Sequence, residues 1–133
     1  MKLKRFLIKL IVKNKQKLYP NSDYTKHHCC LVSYQTPLLK HCYILCHEHL
    51  SATGDEDQLI QFAQQEAQRL SKLHTQHSDH FVLVLGGKNV RKRENWHMHI
   101  FIIQNRYQKA YAYQVLALKN FSLAILELLN LKK

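Results

Sequence analysis

Ten of the 133 residues are histidine, and two of them share the stretch whose spacing most suggests joint chemistry, Asn95-Trp96-His97-Met98-His99-Ile100-Phe101-Ile102-Ile103. A β-strand turns successive side chains to opposite faces. Trp96, Met98, Ile100 and Ile102 then form one apolar stripe, and His97, His99, Phe101 and Ile103 lie on the other face. The Cα atoms that carry the two imidazoles stand roughly 7 Å apart along such a strand. Two rings displayed together in this way can act on one phosphate or bind one metal ion. In a histidine-rich chain the competing reading is a half-exposed strand that carries two histidines by chance.

A neutral imidazole attacks phosphorus and can hold a phosphoryl or nucleotidyl group on its nitrogen. The leaving group then needs a proton, and the developing charge needs hydrogen-bond donors. His99 suits the nucleophile, and His97 suits a ring that orients it or shares the proton traffic. Asn95 falls on the same face by strand parity, where its amide could donate to a phosphate oxygen. Just upstream, Gly86-Gly87-Lys88-Asn89 with Arg91, Lys92 and Arg93 makes a basic loop suited to an anion.

The elements that must position these groups can be read from periodicity. Phe81 to Leu85 is a continuous apolar strand, expected at the centre of a sheet because it has no polar face. It should form an antiparallel hairpin with the histidine strand around the basic loop. Cys29 to Tyr34 and His41 to Cys46 read as two earlier strands. Between them and the hairpin, Asp55, Glu56 and Asp57 suit the start of a helix running to about His74. Leu59, Phe62, Ala63, Ala67, Leu70 and Leu73 should line its buried face, with Lys72 and His74 in the favourable last turn.

The two ends are read separately. Residues 1–20 are expected to open the chain as a basic amphipathic helix with Leu3, Phe6, Leu7, Leu10 and Ile11 on one side. Such a helix packs on the domain or lies on an anionic membrane. Tyr19 to Asp23 reads as a loop. Residues 111–118 fit strand or helix, and Phe121 to Leu131 reads as a helix.

Composition bounds the function class. The length suits one domain with a proper core, and 46% apolar content is that of a globular protein. No apolar run is long enough to span a bilayer and no signal peptide appears, so a cytoplasmic location is expected. A net charge of +11 argues for an anionic partner, whether nucleotide, nucleic acid or membrane surface. Cys29, Cys30, Cys42 and Cys46 read as reduced, mostly buried thiols. A zinc site from Cys42, Cys46, His47 and His49 is conceivable by ligand type, but core cysteines and surface histidines explain these residues better.

The stretch from Pro37 through His41, Cys46, His47 and His49 to Ser51 resembles the early signature of histidine-triad (HIT) nucleotide hydrolases and transferases. A helix, an apolar strand, a glycine-containing loop and a His-x-His strand follow in that family's order. The resemblance covers residues 28–103 as a HIT-like core, with residues 104–133 as a C-terminal extension of the same domain. It implies an α+β fold with an antiparallel sheet of about five strands packed against helices, and a homodimer. It also implies attack on a nucleotide or other phosphate ester or anhydride through a covalent histidine, with no cofactor or obligatory metal. On this resemblance the nucleophile falls on His99, the first triad histidine on His97, and a supporting histidine on His41. Substrate contacts fall on Gly86, Gly87, Lys88, Arg93, Glu94 and Asn95.

The chain departs from the family at several of these positions. The third triad position is Phe101, which has no hydrogen-bonding group. Gly86 stands where the family commonly has asparagine, Arg93 and Glu94 where it has Gln-Ser, and Cys46 where the early turn has proline. A carboxylate at Glu94 repels phosphate. These departures keep open a non-catalytic nucleotide- or RNA-binding module of the same fold. A different chemistry, the His-hydrophobic-His (HUH) nucleases and transposases, would use the histidine pair as metal ligands and Tyr107, Tyr111 or Tyr113 to cleave single-stranded DNA. The same tyrosines could stack on bases or pack under the C-terminal helix.

Overall fold

In a computed structural model the chain is described over residues 13–36, 38–49, 56–86 and 95–131. The order is β1 (Lys13–Leu18), α1 (Ser22–Lys26), β2 (Cys29–Gln35), β3 (Cys42–His47), α2 (Glu56–Thr75), β4 (Phe81–Leu85), β5 (His97–Ile102) and α3 (Arg106–Leu131). The five strands form one sheet in the order β1-β2-β3-β5-β4, with every neighbouring pair antiparallel. This is the expected α+β class with a five-stranded antiparallel sheet.

The alternation along β5 decides how the layers form. Trp96, Met98, Ile100 and Ile102 are all buried on one face, in a core with Leu31, Tyr43 and Leu45 of the sheet. Helix α2 closes this core through Leu59, Phe62, Ala63, Ala67 and Leu70, while Leu73 is 67% exposed, contrary to expectation. Glu66 and Ser71 are buried on that helix instead, because each has a partner there. Glu66 receives Tyr24 Oη and Arg69, and the Ser71 hydroxyl bridges His77 O and His80 N at the helix exit. Buried polar groups persist where such bonds are available.

On the opposite face Tyr34, Leu39, Cys42, Phe101 and Ala112 form a second cluster, flanked by Ile44, Val82, Val84, Ile103, Tyr111 and Leu116. Helix α3 therefore covers the face that carries His97 and His99, packing at the Phe101 end of β5. The region 111–118, ambiguous from sequence, belongs to this one 26-residue helix.

Two expectations are corrected. β4 is an edge strand and not a central one. Its uniformly apolar sequence reflects helices on both faces, since Phe81 and Leu83 meet the α2 core and Val82 and Val84 the α3 cluster. The expected N-terminal helix is also replaced, over Lys13–Leu18, by strand β1 on the edge of β2, with a register shift between Lys13 and Gln16. A polar, lysine-rich segment is a common edge-strand composition, because its charges discourage pairing with another chain. The apolar stripe from Leu3 to Ile11 lies outside the described residues. Between β1 and β2, part of the expected loop is α1, whose start is capped by Asn21 Oδ1 accepting from Asp23 N at 2.9 Å.

Candidate functional site

Strand β5 lies between β3 and β4, so its histidines sit inside the sheet and are held by ladder hydrogen bonds on both sides. Both are half-buried. Their ring centroids are 5.5 Å apart with planes at 80°, and the His99 ring lies nearly parallel to Phe101 at 6.1 Å. His97 Nδ1 is 3.1 Å from the carbonyl oxygen of Asn95. A carbonyl can only accept, so Nδ1 carries the proton, and Nε2 is left as the nitrogen able to exchange one.

Register sets the lateral neighbours. Cys30, Cys46 and His97 are opposed across β2, β3 and β5. The next row on this face is Val32, Ile44, His99 and Val84, and then Tyr34, Cys42, Phe101 and Val82. His99 is therefore walled on both sides by aliphatic groups, whereas His97 has a thiol beside it. Cys42, deeper under α3, is pushed up to about 12 by burial and behaves as an inert thiol.

The structure brings some of the expected site residues together and separates others. Gly86 follows Leu85, which pairs with Met98, so it falls level with His97. Asn95 adjoins the pair, but its side-chain amide donates to His47 O at 3.3 Å, and His47 N donates to Trp96 O at 2.9 Å. Gly87, Lys88, Arg93 and Glu94 lie outside the described residues. His41 is set apart from the pair: it stacks on His74 of α2, with centroids 3.6 Å apart, on the face opposite His97 and His99. Alternation along β3 sends His41 and Tyr43 toward α2, and Cys42, Ile44 and Cys46 toward the histidine pair.

The same alternation dismantles the conceivable zinc set. Cys42 and Cys46 share one face of β3, and His47 projects from the other. Among the described residues no group of three or more His, Cys, Asp or Glu side chains is arranged to hold a metal ion. The tyrosines of α3 divide as well, with Tyr111 packed against the Phe101 cluster, Tyr107 82% exposed and Tyr113 53% exposed.

Two groupings went unread in the sequence. Cys30 and Cys46 line up on one side of His97, which depends on register and leaves no local signal. His28, His47 and His49 gather at the same end of the sheet, with centroids 5.1–6.3 Å apart. His28 adopts φ 54 just after α1, the left-handed position that commonly terminates a helix. No family model matches the chain, and no match is found among curated proteins or solved structures.

Proposed function

We propose that this chain is a HIT-like hydrolase or transferase that acts on a nucleotide or another phosphate ester or anhydride through a covalent intermediate on His99. The observation that carries the reading is the side-by-side display of His97 and His99 on an inner strand, with the His97 ring anchored on Asn95 O. An imidazole nitrogen of His99 attacks phosphorus, a P–N bond forms, and the bond from phosphorus to the leaving group breaks. His97, carrying a proton on Nε2 as well as the one Nδ1 donates to Asn95 O, passes the Nε2 proton to the departing atom and recovers it from the water, or from the acceptor hydroxyl, that then cleaves the P–N bond. The aliphatic neighbours of His99 keep water from its flanks, which favours fixed dipoles over bulk solvent around the developing charge.

The test is incubation of the purified protein with an adenosine 5′-phosphoramidate in the presence of EDTA, with His99→Ala and His97→Ala alongside. Metal-independent release of AMP, an adenylyl-protein seen by intact mass, and loss of both in His99→Ala are expected. His97→Ala should retain the adduct but turn over more slowly, by about 100-fold or more.

Phe101 favours a second reading. At the third triad position it is 7% exposed and packed beneath α3, where it offers the substrate no polar group. A phosphate-binding module without turnover would bind AMP and form no adduct in the same experiment. Release of product only on addition of Mn²⁺, with single-stranded DNA as substrate, would instead direct attention to the α3 tyrosines and metal-dependent cleavage.

A further inference from the structure

We propose that Cys30 and Cys46 form a modification site in which a peroxide closes a reversible disulfide beside His97. The two residues are directly opposed across β2 and β3, and Cys46 is directly opposed to His97 across β3 and β5. Burial pushes the Cys30 thiol up, and the Lys17 ammonium partly offsets that effect in favour of its thiolate. None of the four cysteines is in a disulfide.

Geometry selects this pair from the four thiols. Directly opposed residues on antiparallel strands have Cα atoms about 4.5–5.5 Å apart, inside the range a disulfide spans. Cys42 and Cys46 lie on one face of one strand, roughly 13 Å apart by strand rise, which is too far. Cys29 is adjacent to Cys30 but projects into the α1–α2 core, where it is 1% exposed. Access also separates the partners. Cys46 is half-buried and Cys30 is 5% exposed, so the oxidant meets Cys46 first.

The reaction balances in two steps. The Cys46 sulfur attacks one oxygen of the peroxide, the O–O bond breaks, and Cys46 becomes a sulfenic acid with release of water or an alcohol. The Cys30 sulfur then attacks the Cys46 sulfur, the S–O bond breaks, and a second water departs as the S–S bond forms. The thiols are oxidised and the peroxide is reduced. The bond should be easily reversed. Glu48 N donates to His28 O, which puts His28 and Glu48 at a hydrogen-bonded pair, and the alternation of the ladder puts Cys30 and Cys46 at the next one. Side chains are farther apart at such pairs, so closing the bond draws β2 and β3 together, and strained disulfides are the readily reduced ones. The pull acts on the strand that neighbours His97.

The experiment exposes the full-length protein to hydrogen peroxide, blocks remaining thiols with an alkylating reagent, and reads intact mass and a peptide map. Loss of two hydrogen atoms, with two thiols protected, a Cys30–Cys46 crosslink and full reversal by dithiothreitol, is expected. Cys30→Ser should stop at a sulfenic acid on Cys46 that dimedone traps, and Cys46→Ser should leave Cys30 reduced. Trp96 fluorescence reports whether each variant has folded, and the wild-type map decides the question alone if one has not. Four alkylated thiols after a dose that oxidises an unhindered thiol, a crosslink through Cys29 or Cys42, or disulfides only between chains would each overturn the proposal. The readouts are masses, so they stand whether or not His99 proves to be a nucleophile.

Discussion

The imidazole of His41 lies flat on that of His74, with centroids 3.6 Å apart and planes 15° from parallel, and Tyr43 Oη is 2.7 Å from His74 Nε2. This contact ties the start of β3 to the end of α2. It also holds the His41 ring on the face of the sheet opposite His97 and His99.

The stack makes stability depend on pH. Burial first, and then the Lys40 charge, lowers the His41 pKa, and burial, His41 and Arg69 lower that of His74. Both rings are neutral above the ordinary value of 6.5, whether the chain is folded or not. As pH falls below that value the unfolded chain binds protons more readily, so stability drops until the lowered folded values are passed. The urea midpoint should therefore be lower at pH 5.5 than at pH 7.5, and His41→Phe should reduce the difference. Tyr43→Phe should cost about 0.5–1.5 kcal/mol at neutral pH.

Tyr24, fully buried, donates from Oη to Glu66 Oε2 at 2.6 Å, and Arg69 holds the same carboxylate through Nε and Nη2. Tyr24→Phe deletes a hydrogen bond to a charged acceptor in the core and should cost about 1.5–3 kcal/mol in urea unfolding. Arg69→Ala should cost less than the ~3–5 kcal/mol of breaking a fully buried pair, because its side chain is 42% exposed.

Trp96 is fully buried, and its Nε1 is the one buried side-chain nitrogen or oxygen among the described residues that lacks a hydrogen-bond partner. Trp96→Ala should cost about 3–5 kcal/mol. Trp96→Phe should cost clearly less, because it also removes an orphaned donor whose burial is worth about 1–3 kcal/mol. Thermal and urea unfolding of the two variants would establish the order.

Phe101→Gln puts a hydrogen-bonding side chain two residues beyond His99 on the same face of the strand. The amide would enter an apolar cluster with Tyr34, Leu39, Cys42 and Ala112, so the variant should lose about 3 kcal/mol or more and gain no turnover. Urea midpoint and phosphoramidate turnover, measured together, separate the two effects.

Alternation around the histidine strand was legible in the sequence, because a period of two is local: Trp96, Met98, Ile100 and Ile102 are buried as expected, opposite the face of His97 and His99. Helix α2 was legible for the same kind of reason, through apolar residues at helical spacing and acids in its first turn. Strand order was not, since the apolar sequence of β4 records what covers its two faces and carries no information on how many strands flank it. Nor could β1 be distinguished from the end of a basic helix, because its lysines suit a solvated edge and a solvated helix face alike. The surroundings of the candidate site were decided by tertiary structure alone. Cross-strand register set Cys46 beside His97 and aliphatic side chains beside His99, and the packing of α2 drew His41 away to His74. Register and helix docking are settled by the summed burial of residues distant in the chain, which no local pattern encodes.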